Sequence, residues 1–313
     1  MAEKLPCVSV VIGCHRDDLL LQDTLDSIAS QQHASSWECL IVANGQFKAS
    51  DHLENRLAAD GRFRLLHSPH QGLTEALILG CAHARGSFIA RIDAGDVMAP
   101  ERLQRQVEAL GADPYAVLCT SSVQISGPCW EPLWIEHGTG DAIDVPHHAS
   151  VLFSRDDYEA VGCYRRAFYF GQDWDLWYRL AERGRFLVLP QVLTYARLQP
   201  DGISSRHRRQ QVEIARLSLA CREARLRGEP EAPWLEQASS IRPTKSSSDS
   251  LPRTSTYFWD RRRAEGFYFI AEALRRNGDL RCMRYFMSAF RYGFWMPRVW
   301  VRFVQSVSLR FTR

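Results

Sequence analysis

The strongest constraint on this chain is an alternation of two apolar patterns over roughly its first 125 residues. Short runs rich in β-branched and apolar residues occur at residues 8–13 (VSVVIG), 38–43 (ECLIVA), 62–67 (RFRLLH), 87–93 (SFIARID) and 116–125 (AVLCTSSVQI), each bounded by turn residues. These are expected strands. Between them lie stretches of helical spacing. Asp17 or Asp18 caps a helix running to Gln32, residues 73–85 end at Gly86, and Pro100 stands in the first turn of a helix over 101–110. Strand–helix alternation predicts an α/β fold with a mostly parallel central sheet and helices on both faces. In such sheets ligands bind at the carboxyl ends of the strands.

A chain of 313 residues with 45% apolar and 24% charged residues can bury a large core, which excludes disordered, collagen-like and repeat classes. The nine cysteines are odd in number and scattered, without a C-x-x-C pair. They fit neither a disulfide framework nor a zinc site, so reduced thiols and a cytoplasmic protein are expected. The N-terminal segment lacks the features of a signal peptide, and no run approaches the ~18 apolar residues of a membrane span. The net charge of +3 is uneven: from Ser255 onward there are twelve arginines and four acids, so that segment carries +8 and the remainder −5.

Residues 127–146 have no sustained period and read as a long loop. A short apolar segment at 148–153, a helix near 156–161, a helix at 173–183 stopped by Gly184, two strand-like stretches and a helix at 206–227 follow. The expected domains are an α/β one at 1–227, a Ser/Pro/Thr-rich linker at 228–256 and a basic, aromatic-rich helical tail at 257–313.

Two groups of residues stand out chemically. Asp93-Ala94-Gly95-Asp96 follows a strand directly, and closely spaced carboxylates there suit a hard divalent cation holding a diphosphate. An Asp-rich turn leading to a helix cap is the structural alternative. Asp173 opens the helix of GQDWDLWYRLAERG and is either a helix cap or a catalytic carboxylate.

Read in order, these pieces resemble a family-2 glycosyltransferase, the inverting group with the GT-A fold. The opening strand Val8-Ser9-Val10-Val11-Ile12-Gly13-Cys14-His15-Arg16, the helix positions Leu25, Ser27, Ile28 and Gln31, and the second strand ending Val42-Ala43-Asn44 are similar to that family's pattern. So are Ala90, Arg91, Asp93, Ala94 and Asp96, followed by Pro100, Arg102, Leu103 and Gln106. Downstream lie His148, Ser150 and Arg155, then Val161-Gly162 and Tyr164, the acidic pair Gln172-Asp173 with Asp175-Leu176-Trp177 and Arg179-Leu180, and finally Leu193, Tyr195, Arg197 and Ser204. The likeness covers roughly residues 6–206.

The resemblance implies a sugar transfer from a nucleotide-sugar, UDP-linked in many relatives, to a hydroxyl of a glycan or lipid-linked acceptor. It assigns Asp173 as general base, Asp96 and Asp93 to Mn²⁺ or Mg²⁺, and Gly13, His15, Asn44, Arg91 and Asp93 to the donor. His148, Gln172, Trp174 and Arg197 fall to acceptor or diphosphate contacts. Three positions depart from the pattern: Ala43-Asn44 replaces Asp-Asp, Gly95 replaces an Asp, and Gln172 replaces a Glu. A catalytically impaired nucleotide-sugar-binding or scaffold protein on the same fold is the alternative, with a nucleotidyltransferase weaker still.

In the tail, Arg284, Arg291, Arg298 and Arg302 recur beside a stripe of Phe286, Phe290, Phe294, Trp300, Phe303 and Val307. This basic amphipathic pattern predicts either a hairpin packed on the protein or a peripheral contact with an anionic membrane, at the inner face of the cytoplasmic membrane. No nucleic-acid partner is expected, since no nucleic-acid module accompanies the patch.

Overall fold

The first two expected strands are buried on both faces, which explains their unbroken apolar runs. In β1 (Val8–Cys14), Val8, Val10 and Ile12 enter one core cluster while Val11 enters the other. In β2 (Trp37–Ala43), Cys39 and Ile41 divide from Leu40 in the same way. Each such aliphatic side chain contributes roughly 1.5–3 kcal/mol. The computed structural model describes residues 6–32, 36–138, 140, 146–200, 208–243 and 260–308.

After β1 and β2 with their helices α1 (Leu19–Ala29) and α2 (Asp51–Ala59) come β3 (Phe63–His67), α3 (Leu73–Ala82) and β4 (Phe88–Arg91). The chain continues through β5 (Val97–Met98), α4 (Arg102–Ala112), β6 (Ala116–Ser126), β7 (Pro132–Glu136), β8 (Leu152–Ser154), α5 (Arg155–Ala160), α6 (Gln172–Ala181) and β9 (Arg185–Arg197). Among the described residues the sheet runs β3-β2-β1-β4-β8-β6-β9-β5, with β7 on β6. Only half of it is parallel: β3, β2, β1 and β4 run together, whereas β8 meets β4 and β6 antiparallel, and β5 meets β9 likewise. The central sheet is therefore mixed. The strand order reverses direction between β1 and β4, which makes their carboxyl ends the topological switch point.

Several elements differ from expectation. The 127–146 stretch read as loop contains β7, an edge strand whose Pro132, Ile135 and Glu136 are exposed. Helix α2 buries only Leu53 and so shows no apolar period; Ser50 caps it, with its hydroxyl accepting from the Leu53 N–H at 3.3 Å. The two strand-like stretches after α6 are one strand, β9. Within the stretch read as a linker, α8 (Ala232–Ser240) follows α7 (Arg208–Arg227), and Trp234 and Leu235 pack with Phe168, Phe170 and Ile214. Ser204 and residues 244–259 lie outside the described residues.

The chain divides into two compact units. The first comprises Met1–Val123, Ile135–Ala196 and Gln210–Arg242; the second comprises Gln124–Trp134, Arg197–Arg209 and Pro243–Arg313. In the second, α9 (Arg261–Arg276), α10 (Cys282–Gly293) and α11 (Pro297–Ser308) pack on the β6–β7 turn. The buried Glu131 carboxylate accepts from the Tyr285 hydroxyl at 2.8 Å and the Cys129 N–H at 3.0 Å, and the Asn277 amide donates to the Leu133 carbonyl.

Candidate active site

Three expected donor residues stand at the carboxyl ends of β1 and β2. Gly13 lies under α3: a Cβ there would come within 2.7 Å of the end of the Leu73 side chain, which would have to shift. His15 is exposed just beyond β1. Asn44 is committed to the protein itself. Its Oδ1 accepts from the Gly72 N–H at 3.1 Å and its Nδ2 donates to the Gly72 carbonyl, which ties the start of α3 to the end of β2.

Beyond β4, Asp93 to Asp96 form a tight turn closed by the Asp96 N–H donating to the Asp93 carbonyl at 3.0 Å. Gly95 takes φ +107°, a conformation that favours glycine. The lost carboxylate at this position thus meets a backbone requirement. Helix α1 holds the turn with a buried polar edge. The Thr24 hydroxyl donates to the Asp96 carbonyl at 2.7 Å and accepts from the Gly95 N–H at 2.9 Å. One turn on, Ser27 accepts from the Met98 N–H at 3.1 Å, and Gln31 donates to the Ala99 carbonyl at 2.8 Å and accepts from the Leu103 N–H at 3.1 Å. The spacing of three residues puts Thr24 and Ser27 on one helix face, and Gln31, just past the helix end, continues that edge. Sequence reasoning marked Ser27 and Gln31 without a role and missed Thr24.

Arg91 is fully buried and its guanidinium pairs with the Asp93 carboxylate while donating to the Ile92 carbonyl. Arg102, also fully buried, reaches from α4 to the Arg91 carbonyl at 2.9 Å and the Val151 carbonyl at 3.2 Å. Gln106 donates to the Cys119 and Ser150 carbonyls at 3.0 and 2.8 Å. These two brace the back of the site. Burial raises the Asp93 carboxyl, but the charge of the Arg91 guanidinium paired with it outweighs this and holds the group below its ordinary range. His148 stands 3.1 Å from the Tyr164 hydroxyl through Nε2 and edge-on to Trp177. Burial, helped by the Arg91 charge, pushes its imidazole down to about 3, so it is neutral.

Asp173 occupies the first turn of α6, whose N-cap is Gly171 at φ 56°. Burial lifts its carboxyl from 3.8 to about 6, aided by the Asp93 charge and opposed by its own N–H, the Trp174 N–H and Arg91. A carboxylate poised near neutrality suits a general base. Asp175, two residues on, faces away and forms a buried ion pair with Arg179 at 2.6 Å. Arg179 in turn donates to the Val161 and Cys163 carbonyls at 2.6 and 2.8 Å, fixing a turn in which Gly162 and Cys163 both have positive φ. Gln172 is buried, with its Oε1 3.5 Å from the Thr74 hydroxyl, and Trp174 is half-buried. Arg197 belongs to the second unit, where its guanidinium lies 3.9 Å from the centre of the Trp130 ring.

Among the described residues no three His, Cys, Asp or Glu side chains converge as a metal site. The oxygen-only donor set of Asp93 and Asp96 still fits a hard divalent cation, which keeps waters and takes substrate phosphates as its remaining ligands. Asp93 is the accessible member, with 42% of its side chain exposed, whereas Asp96 is buried.

Sheet, switch point and acidic turn define a fold of the nucleotide-diphospho-sugar transferase type. The chain belongs to glycosyl transferase family 2, whose profile matches residues 9–171, more than half of its length. It is 29% identical over 120 residues to the putative glycosyltransferase EpsH of Bacillus subtilis, covering 38% of this chain and 35% of EpsH. It is 26% identical over 173 residues to the amylovoran biosynthesis glycosyltransferase AmsE of Erwinia amylovora, covering 49% of this chain and 62% of AmsE. The chain thus spans less than two thirds of either protein. The crystal structure of S. aureus TarS 1–349 in complex with UDP shares the fold with a TM-score of 0.54 at 12% identity, over 96% of this chain and 88% of that one.

Proposed function

We propose that the protein transfers a sugar from a nucleoside-diphosphate donor to a hydroxyl of a glycan or lipid-linked acceptor, with inversion at the anomeric carbon. The observation that carries this reading is the division of labour between two carboxylate positions in one unit. Asp173, lifted to about 6, is ionised at neutral pH yet basic enough to take the acceptor's proton as its oxygen attacks. Asp93 and Asp96 would hold a divalent cation, Mg²⁺ or Mn²⁺, which when bound neutralises charge on the departing diphosphate. Arg91 holds Asp93 in place from beneath, and Thr24 holds the backbone of Asp96. Neutral His148 adds no charge to the pocket and serves as a hydrogen-bonding contact. The UDP bound to TarS 1–349 supports a uridine donor, and the likeness to an amylovoran biosynthesis glycosyltransferase supports polysaccharide biosynthesis.

A thermal-shift series of nucleoside diphosphates with and without Mg²⁺ or Mn²⁺ tests the assignment. One diphosphate should stabilise the protein only with metal, by about 2.7 kcal/mol at a hundredfold excess over Kd, and Asp96→Ala should remove that part. Equal stabilisation by every diphosphate in EDTA would defeat it.

A further inference from the structure

The tail carries one apolar stripe that packs internally and a second set of large apolar side chains that stay exposed. Phe286, Phe290 and Phe303 face one another across α10 and α11, with ring centres 6.4 and 5.2 Å apart for the two pairs involving Phe303. Val299 is fully buried beside them. The opposite side of α11 presents Val301 and Val304, which are 54 and 59% exposed, and at its edge Trp300, whose ring centre lies 4.3 Å from that of Phe290, keeps half of its surface exposed. At the corner leading into it, Phe294 and Trp295 are exposed, as is Met287 on α10. A helix apolar on both sides is ordinarily buried on both.

Charge says what meets this face. From Leu280 to the end of the chain there are seven arginines and no carboxylate. Arg291 and Arg298 are exposed alongside the apolar residues. The Arg298 partner, Glu265, sits 3.1 Å away in an exposed pair, which holds the guanidinium only weakly. Interfacial tryptophans and valines beside arginines match the headgroup boundary of an anionic bilayer. A second copy of the chain fits poorly, because a two-fold contact through this face would set arginines against arginines. With twelve residues, α11 is about 18 Å long, too short for the ~30 Å hydrocarbon core, so it would lie flat.

We propose that the outward face of α10 and α11, formed by Met287, Phe294, Trp300, Val301 and Val304 with Arg291 and Arg298, docks the protein on an anionic phospholipid surface. Its purpose rests on the lipid-linked-acceptor reading, but the binding does not, and it is measured without donor or acceptor. Full-length protein should co-sediment with vesicles of phosphatidylcholine and phosphatidylglycerol at low salt and not with phosphatidylcholine alone. Each arginine that reaches the surface accounts for roughly fivefold in partitioning, lost as salt is raised. A V301S/V304S double variant, both positions pointing outward, should lower partitioning at least tenfold with an unchanged circular-dichroism spectrum. Arg291→Gln should weaken it about fivefold. Absence of binding to anionic vesicles at low salt, or equal binding by the double variant, overturns the proposal. So does a dimer that the double variant dissociates, which would make a second copy the occupant. Vesicle binding without any transferase activity would leave this proposal standing and defeat the functional reading alone.

Discussion

Replacing Asp173 by Asn should raise stability and abolish turnover together. The native carboxyl titrates at about 6 against an ordinary 3.8, a difference of about 2 units or roughly 3 kcal/mol. Because the folded-state value is the higher one, the folded protein binds this proton more tightly than the unfolded chain. The stability it confers is full below about pH 4 and is lost as pH rises through 6. Above that, the ionised carboxylate costs the native state up to about 3 kcal/mol. Asn keeps the shape and has no charge to bury. The Asp173→Asn variant should therefore match wild type near pH 4 and exceed it by about 1–3 kcal/mol at pH 7.5. Donor binding should persist, while transfer falls by at least ~10². In wild type, turnover should rise across pH 6 and level off above it. Urea unfolding at pH 4.5 and 7.5, together with nucleoside diphosphate release, measures both halves. A variant less stable than wild type at pH 7.5 would show that the N–H groups at the start of α6 outweigh burial and that the carboxylate is a helix-terminus anion. Unchanged turnover would remove Asp173 from the chemistry.

Two further outcomes follow from the bracing residues. Thr24→Val removes the hydroxyl that accepts from the buried Gly95 N–H and donates to the Asp96 carbonyl, and should cost about 2–4 kcal/mol in chemical unfolding. It should also weaken metal-dependent diphosphate binding about tenfold, with Thr24→Ser restoring binding through the same hydroxyl. At the opposite end of the sheet, Glu38 is buried and accepts from Ser9, the Arg85 N–H and the Arg64 guanidinium at 2.8, 2.8 and 2.9 Å. Burial raises its carboxyl, but these partners together hold it below its ordinary value. A depressed carboxylate gives stability that is present above the ordinary glutamate range and lost as pH falls through the folded value. Glu38→Gln should cost about 1–3 kcal/mol at pH 7, since both arginines are about one-third exposed, and the gap should close in acid denaturation.

The centre of the parallel half, β1 and β2, was legible because these strands are buried on both faces, and a long apolar run has few other solutions in a chain with helical spacing between runs. The antiparallel half was not. Whether β8 enters beside β4 parallel or reversed depends on where a distant segment lands, and three residues of LFS carry no signal of direction. Helix α2 escaped because one buried leucine makes no period, and α8 because Ser and Pro around it imitate a linker while Trp234 and Leu235 find their partners far along the chain.

Within the site, spacing revealed which residues share a face but not which face meets the substrate. Asp173 and Asp175 are both acidic, adjacent in the motif and on the same helix, and a helix cannot turn both toward one point. The structure gives Asp175 to Arg179, and Arg179 to two carbonyls of the Gly162–Cys163 turn, so that the second acid builds the wall from which Tyr164 meets His148. Ser27, Gln31 and Gln106 have the same character: each spends its donors on backbone groups around the Asp93–Asp96 turn or behind it. A motif residue with all its donors committed to buried backbone has none to offer a ligand. By that criterion the motifs of this chain mostly encode where two carboxylate positions stand, and substitutions in the bracing set should cost stability before they cost chemistry, whereas Asp173 alone should do the reverse.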